Sequence, residues 1–87
     1  MKKIIFPRSS VIARRARETT GFSQLKMSRT LGYKNGQFAS NCERGLSCYP
    51  PKKWNQIIEL GKVEREELIT AYLSDKEEWL RGVMGER

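Results

Sequence analysis

Four polar side chains between residues 35 and 45 stand at helical spacing. Positions i, i+3, i+4 and i+7 share one face of a helix, and here they are Gln37, Ser40, Asn41 and Arg44. Side chains of these types hydrogen-bond to base edges in the major groove of DNA. A solvated helix more often carries Lys and Glu on its polar face. The alternative is an ordinary surface of short polar residues, so the surrounding chain has to discriminate.

Capping residues and glycines delimit two short helices around these side chains. Ser23 is expected to cap a helix that ends at Gly32, and Asn35 is expected to cap the helix that carries the polar face. Gly32 and Gly45 can take the left-handed conformation that terminates a helix. Residues 23–45 are therefore predicted to form a helix, a turn and a second helix.

Basic residues are concentrated in the first part of the chain. The formal net charge of the 87 residues is +7. Residues 1–53 hold twelve Lys and Arg against two acids, whereas residues 54–87 hold five against eight. A positive surface attracts phosphate backbones, so an anionic partner is expected near the polar helix. Solubility and a membrane-surface patch are the alternatives, but a membrane patch needs a basic helix with bulky apolar residues opposite.

Residue types that usually carry chemistry are scarce. The chain has no histidine, and its two cysteines, Cys42 and Cys48, are expected to be reduced thiols. Without further ligands they make a poor zinc site, so we expect no metal and no cofactor. No constellation meets the requirements for catalysis, so we expect no enzyme. The apolar run before Pro7 is too short for a signal peptide or a membrane span, which predicts a cytoplasmic protein.

The N-terminal part is expected to hold an arm and a first helix. Residues 1–8 form the arm, which can be a short strand or an ordered tail. Ser9 or Ser10 is expected to cap the first helix, and Gly21 to end it. Its apolar side consists of Val11, Ile12, Ala13 and Ala16.

Two further helices complete an all-α domain of five helices over residues 9–73. Pro50 and Pro51 prepare a fourth helix from Lys52 to Leu60, and a fifth is expected from Val63 to Leu73. Helical spacing gives their core positions as Trp54, Ile57 and Ile58 in the fourth, and Leu68, Ile69, Tyr72 and Leu73 in the fifth.

A linked set of marks resembles the helix-turn-helix of the phage repressor and Cro (XRE-like) family. In that family an arginine lies four residues before a glycine, Ser-Gln opens helix two, Leu-Gly closes it, and Glu-Arg-Gly ends helix three. The matching residues are Arg17 with Gly21, Ser23-Gln24, Leu31-Gly32 and Glu43-Arg44-Gly45. The resemblance covers roughly Val11 to Leu73. It implies a repressor-like fold and a sequence-specific, double-stranded DNA-binding transcriptional regulator of phage or bacterial type.

The resemblance also implies roles for individual residues. Helix three, about residues 36–44, would enter the major groove, with Gln37 and Asn41 as base readers and Ser40 assisting. Arg17 and Glu43 would form a buried ion pair behind it. The turn from Tyr33 to Gly36 is one residue longer than in the commonest members. Contacts to phosphate are expected from Gln24, Lys34, Asn35, Arg44, Lys52 and Lys53.

The last residues, 74–87, are expected to form an additional C-terminal helix. Ser74 and Glu77 make a capping box at its start, and its apolar stripe comprises Trp79, Leu80, Val83 and Met84. This stripe either packs on the domain's own core or forms a homodimer contact. The alternative function is an antitoxin or other protein-interaction module of the same fold, whose acidic C-terminal segment binds a protein partner.

Overall fold

The computed structural model describes residues 3–85, and they form the predicted all-α fold. Five helices follow one another: α1 Pro7–Thr20, α2 Gln24–Thr30, α3 Gln37–Glu43, α4 Pro51–Gly61 and α5 Arg65–Val83. Within residues 3–85, no helix has both the length and the apolar character needed to cross a membrane. Met1 and Lys2 of the predicted arm, and Glu86 and Arg87 of the predicted C-terminal helix, lie outside the described residues.

Helix α1 is the centre of the packing, because it contacts α3, α4 and α5, while α2 packs on α3. Small residues allow the closest of these approaches. A Cβ atom on Gly61 would lie 2.4 Å from the Cβ of Ala16, which is fully buried. Glycine at the end of α4 is therefore what lets that helix rest directly on α1. The residues of α2, α3 and the start of the turn between them that face the core are fully buried: Met27, Ser28, Leu31, Ala39 and Cys42.

Helix α1 begins at Pro7, two residues before the earlier of the two predicted serine caps. Proline suits the first helical position, where its missing N–H costs nothing. The next N–H groups, of Arg8 and Ser9, donate to the buried carboxylate of Asp75 in α5 at 3.1 and 2.8 Å. The prediction that Ser9 or Ser10 caps the helix is therefore wrong, and both serines are buried inside α1.

Helix α5 is one continuous helix of 19 residues, so the predicted break at Ser74 and the separate C-terminal helix are wrong. No glycine or proline interrupts the chain there, and extending an existing helix gains a hydrogen bond for each residue added. The buried face of α5 consists of Leu68, Ala71 and Asp75, spaced i, i+3 and i+7. Leu73 lies off this face and is 60% exposed, contrary to its predicted core position.

Candidate nucleic-acid interface

The turn between α2 and α3 ends with a side-chain hydrogen bond to the first residue of α3. The Oδ1 atom of Asn35 accepts the N–H of Gln37 at 2.9 Å and so satisfies one free N–H of α3. The N-cap position itself is Gly36, one residue after the predicted Asn35. Within the turn, the ring of Tyr33 packs against Phe38 at 4.8 Å and Tyr49 at 6.4 Å between centroids. An aromatic cluster thus anchors this turn.

The predicted polar face of α3 points away from the core. Gln37 and Arg44 are exposed, and Ser40 and Asn41 are half-buried, whereas Ala39 on the opposite side is fully buried. Nε2 of Gln37 donates to Oδ1 of Asn41 at 3.0 Å. Two of the proposed base readers are therefore joined in one hydrogen-bonded pair.

An ion pair lies behind α3. The guanidinium of Arg17 donates twice to Glu43, from Nε to Oε2 at 2.6 Å and from Nη2 to Oε1 at 3.0 Å. The two side chains are only 18% and 5% exposed. Hydrogen bonding to Glu43 raises the pKa of Arg17 above its ordinary value, although burial acts in the opposite direction. The predicted Arg17–Glu43 pair is thus present, and it ties α1 to the last residue of α3.

Two further contacts extend this support toward the start of α2. Nη1 of Arg17 donates to the carbonyl oxygen of Phe22 at 2.8 Å. Nε2 of Gln24 donates to Oε1 of Glu43 at 3.3 Å. Gln24, predicted as a phosphate contact, is half-buried against Glu43, and it connects the first turn of α2 to the end of α3.

The N-terminal arm holds the C-terminal end of α3, a role that the sequence did not indicate. The N–H groups of Ile5 and Phe6 both donate to the carbonyl oxygen of Gly45 at 2.9 Å. Gly45 has a φ of 81°, and a Cβ atom on it would lie 2.7 Å from Cγ2 of Ile4. Only glycine therefore fits both the backbone turn and the arm packed on it.

The predicted phosphate contacts are brought together only in part. Lys53, from α4, places its Nζ 5.9 Å from the centroid of the Tyr33 ring, beside the turn that precedes α3. Lys34 and Asn35 are exposed in that turn, and Lys52 is exposed at the start of α4. Lys53, Lys34 and Asn35 thus lie in or beside the turn that leads into α3, and Arg44 lies at the C-terminal end of that helix.

The Asp75 carboxylate was missed as a supporting group. It has no exposed side-chain surface, and it also accepts from Nη1 of Arg8 at 3.1 Å. The available signal was an acidic residue at a core-facing position of a helix, three or four residues from other inward positions. Such residues are almost never fully buried unless they are paired, so the position itself indicates a partner.

The exposed stripe of α5 differs from the one predicted. Leu80, Val83 and Met84 are 45%, 60% and 78% exposed, and Leu73, itself exposed, lines one shallow surface groove with Leu80 and Met84. Trp79 is half-buried instead, and Nζ of Lys76 lies 4.6 Å from the centroid of its ring. The apolar stripe therefore consists of Leu73, Leu80, Val83 and Met84, which we call the α5 stripe.

Hydrogen bonding and charge are the chemistry that the α3 surface offers. The two thiols are free, and burial raises their pKa values, to about 12 for Cys42 and about 11 for Cys48. They are therefore protonated and unreactive at neutral pH. In the part of the chain that the structure describes, no three metal-binding side chains come together. No known family, curated protein or solved structure matches this chain.

Proposed function

We propose that this protein is a sequence-specific, double-stranded DNA-binding transcriptional regulator of phage or bacterial type that acts in the cytoplasm on the nucleoid. The main support is the polar face of α3, which points away from the core while the Arg17–Glu43 pair holds the helix from behind. The major groove, about 12 Å wide, admits an α-helix. A rigid backbone below short amide side chains is what selective reading of base edges requires.

The residues divide into two roles on this proposal. Gln37 and Asn41 act at base edges, and Ser40 assists them. Contacts to phosphate fix the register of the protein on the duplex and carry no sequence information themselves. They are made by Gln24, Lys34, Asn35, Arg44, Lys52 and Lys53. The net charge of +10 carried by residues 1–53 favours this partner, because each neutralised phosphate releases a counterion.

A homodimer is part of the proposal, because a seven-residue helix reaches few base pairs. The α5 stripe supplies the contact. Four exposed apolar side chains on one helix face usually mark an interface, and a two-fold axis would let the same surface serve both copies. The two α3 helices then meet half-sites about 34 Å apart.

Selection from a pool of random DNA duplexes by the full chain tests this function. We expect an inverted repeat to be enriched, and we expect binding that weakens steeply with salt. Gln37→Ala should lose the preference, whereas Gln56→Ala, at an exposed position of α4, should keep it. The proposal would be contradicted if all sequences were recovered equally. It would also be contradicted if heparin abolished the binding and the recovered DNA showed no sequence preference.

The second candidate function is an antitoxin-like protein-interaction module. The α5 stripe favours it too, because the adjoining residues of the second part of the chain are predominantly acidic. Light scattering after co-expression with the neighbouring gene distinguishes the two. A stoichiometric complex with a second protein supports the module, and a pure homodimer counts against it.

A further inference from the structure

The hydrogen bond between Gln37 and Asn41 places two amides one turn apart in contact. Nε2 of Gln37 donates to Oδ1 of Asn41 at 3.0 Å. Gln37 is exposed and Asn41 is half-buried, so Gln37 is the outer member of the pair. On the proposed DNA interface, the outer amide is the one placed to meet a base, and the inner amide of Asn41 is placed to orient it.

The groups left free on Gln37 define what it can recognise. A primary amide has two N–H donors and one carbonyl acceptor. One N–H of Gln37 is engaged by Asn41, which leaves one N–H and Oε1. Adenine presents one acceptor, N7, and one donor, the N6 amino group, on its major-groove edge. The free donor and acceptor of Gln37 match these two groups.

Guanine presents a different pattern to the same amide. Its major-groove edge has two acceptors, N7 and O6. A free glutamine can turn its amino group and donate both hydrogens to them. With one hydrogen held by Asn41, that arrangement would break the Gln37–Asn41 bond, and otherwise Oε1 would face O6 as a second acceptor. Guanine is therefore penalised by the pairing itself.

The backbone below the pair is fixed, which makes the orientation of the amide matter. The N–H of Gln37 is capped by Oδ1 of Asn35 at 2.9 Å. The carbonyl of Asn41 accepts the N–H of Leu46 at 3.0 Å. The backbones of Gln37 and Asn41 are thus hydrogen-bonded to the loops that flank α3, so contact with a base does not first cost the entropy of ordering the helix.

We propose that Gln37 reads an adenine and that Asn41 is the positioning residue that makes Gln37 select adenine over guanine. This inference rests on the proposed DNA-binding function and names its preferred base pair. This refines the roles proposed above: at the base pair that Gln37 meets, Asn41 acts through Gln37 and does not itself contact the base. The operator half-site therefore contains an A·T pair at the position that Gln37 meets.

Selection from random duplexes, repeated with variants of the full chain, tests this assignment. Wild-type protein should prefer adenine over guanine by about 5- to 150-fold at one position of each half-site. Gln37→Ala should remove that preference and so identify the position. Asn41→Ala should reduce the preference at the same position at least about fivefold.

Asn41→Asp is the conservative variant, because a carboxylate oxygen still accepts the N–H of Gln37. It should keep the adenine-to-guanine ratio while it weakens binding to all duplexes, since it adds a negative charge near phosphate. A merely structural role for Asn41 would change affinity in both variants and leave the ratio unchanged in both. Melting curves of both variants should match that of the wild type.

The possible failures are distinguishable. If no sequence is enriched by the wild type, the proposed function fails and the inference fails with it. If sequences are enriched but the Gln37-dependent position selects guanine, DNA binding stands and the inference is wrong. The inference is equally wrong if Asn41→Ala keeps the ratio, or if it changes the preference at a different position.

Discussion

Arg17 on α1 and Glu43 on α3 are joined by two nearly buried hydrogen bonds, at 2.6 and 3.0 Å. Removing one member leaves the other charge buried without compensation, at a cost on the order of 3 to 5 kcal/mol. Each kcal/mol lowers the melting temperature of a domain of this size by about 4–8 °C. Arg17→Met should therefore lower it by more than about 10 °C.

Arg14→Met is the matched control for that measurement. Arg14 also pairs with a glutamate, Glu18, but both side chains are more than half exposed, and such pairs contribute about 0–1 kcal/mol. Its melting temperature should stay within a few degrees of the wild type. Equal losses in the two variants would show that the Arg17–Glu43 pair does not brace α3.

Asp75 should contribute to stability through the start of α1. Its carboxylate accepts two backbone N–H groups and faces the positive end of that helix, so Asp75→Ala leaves these donors buried. We expect a loss of about 2–3 kcal/mol in the free energy of unfolding, measured in urea. Glu77→Ala, at an exposed pair with Arg81, should change it by less than about 0.5 kcal/mol. If only Glu77→Ala lowered the free energy of unfolding, Asp75 would not be a cap of α1.

Local patterns were enough to predict the helices near the polar face but not their long-range ties. Ser23 caps α2, and Gly21 and Gly45 take the left-handed conformation, so spacing along the chain was sufficient there. Asn35 bonds the first N–H of α3 from one residue before the N-cap, Gly36, so the predicted cap was displaced by one position. Asp75 lies 67 residues from Arg8, and no local rule connects the two. The same holds for the arm on Gly45, which depends on how α1 crosses α3.

The continuity of α5 shows a limit of a different kind. Ser74 followed by Glu77 matches a capping box, yet the same residues are also compatible with a helix interior. Asp75 lies in helical register with Leu68 and Ala71 and accepts N–H groups of α1, and these contacts favour a helix that continues through Ser74. On the polar face of α3, spacing predicted that Gln37 and Asn41 lie together, but not the bond between them, because side-chain rotamers decide that.

Replacing glycine by alanine should have opposite effects on stability at two helical positions, Gly61 and Gly82, because only Gly61 lies against another helix. Gly61→Ala places a Cβ atom 2.4 Å from that of Ala16, so α4 has to move away from α1, at a cost of about 1–3 kcal/mol. Gly82→Ala, near the end of α5, meets only the flexible end of Lys3 at 3.8 Å. It should stabilise the protein by up to about 1 kcal/mol. Thermal melts of both variants check this, and a stabilised Gly61→Ala would contradict the close helix crossing.

The buried thiols predict a loss of stability at alkaline pH. Their pKa values are raised to about 12 for Cys42 and about 11 for Cys48, mainly by burial, from 9.0 for an ordinary thiol. Above pH 9 the unfolded chain releases protons that the folded protein keeps, so unfolding is favoured as pH rises. The contribution is complete below pH 9 and is lost between pH 9 and 12.

Urea unfolding at pH 8 and pH 10.5 measures this effect. The variant with both Cys42→Ala and Cys48→Ala should lose less stability over that interval than the wild type. Some loss should remain, because burial also raises the pKa of Tyr49. The change in the free energy of unfolding between the two pH values has to be compared, not the free energy at either pH, since alanine in place of buried Cys42 also leaves a small cavity. An identical change with pH in the wild type and the double variant would contradict the assigned thiol pKa values.

Lys53 should act on DNA affinity but not on sequence preference. Its ammonium lies beside the Tyr33 ring at the turn before α3, where it can meet phosphate, and a phosphate contact weakens binding to all sequences alike when lost. In fluorescence anisotropy, Lys53→Ala should reduce affinity for every duplex and lower the slope of log affinity against log salt by about one. Lys62→Ala, at the exposed end of α4, should leave that slope unchanged. A changed base preference in Lys53→Ala would mean that this lysine reads bases, and the division between positioning and reading residues would have to be redrawn.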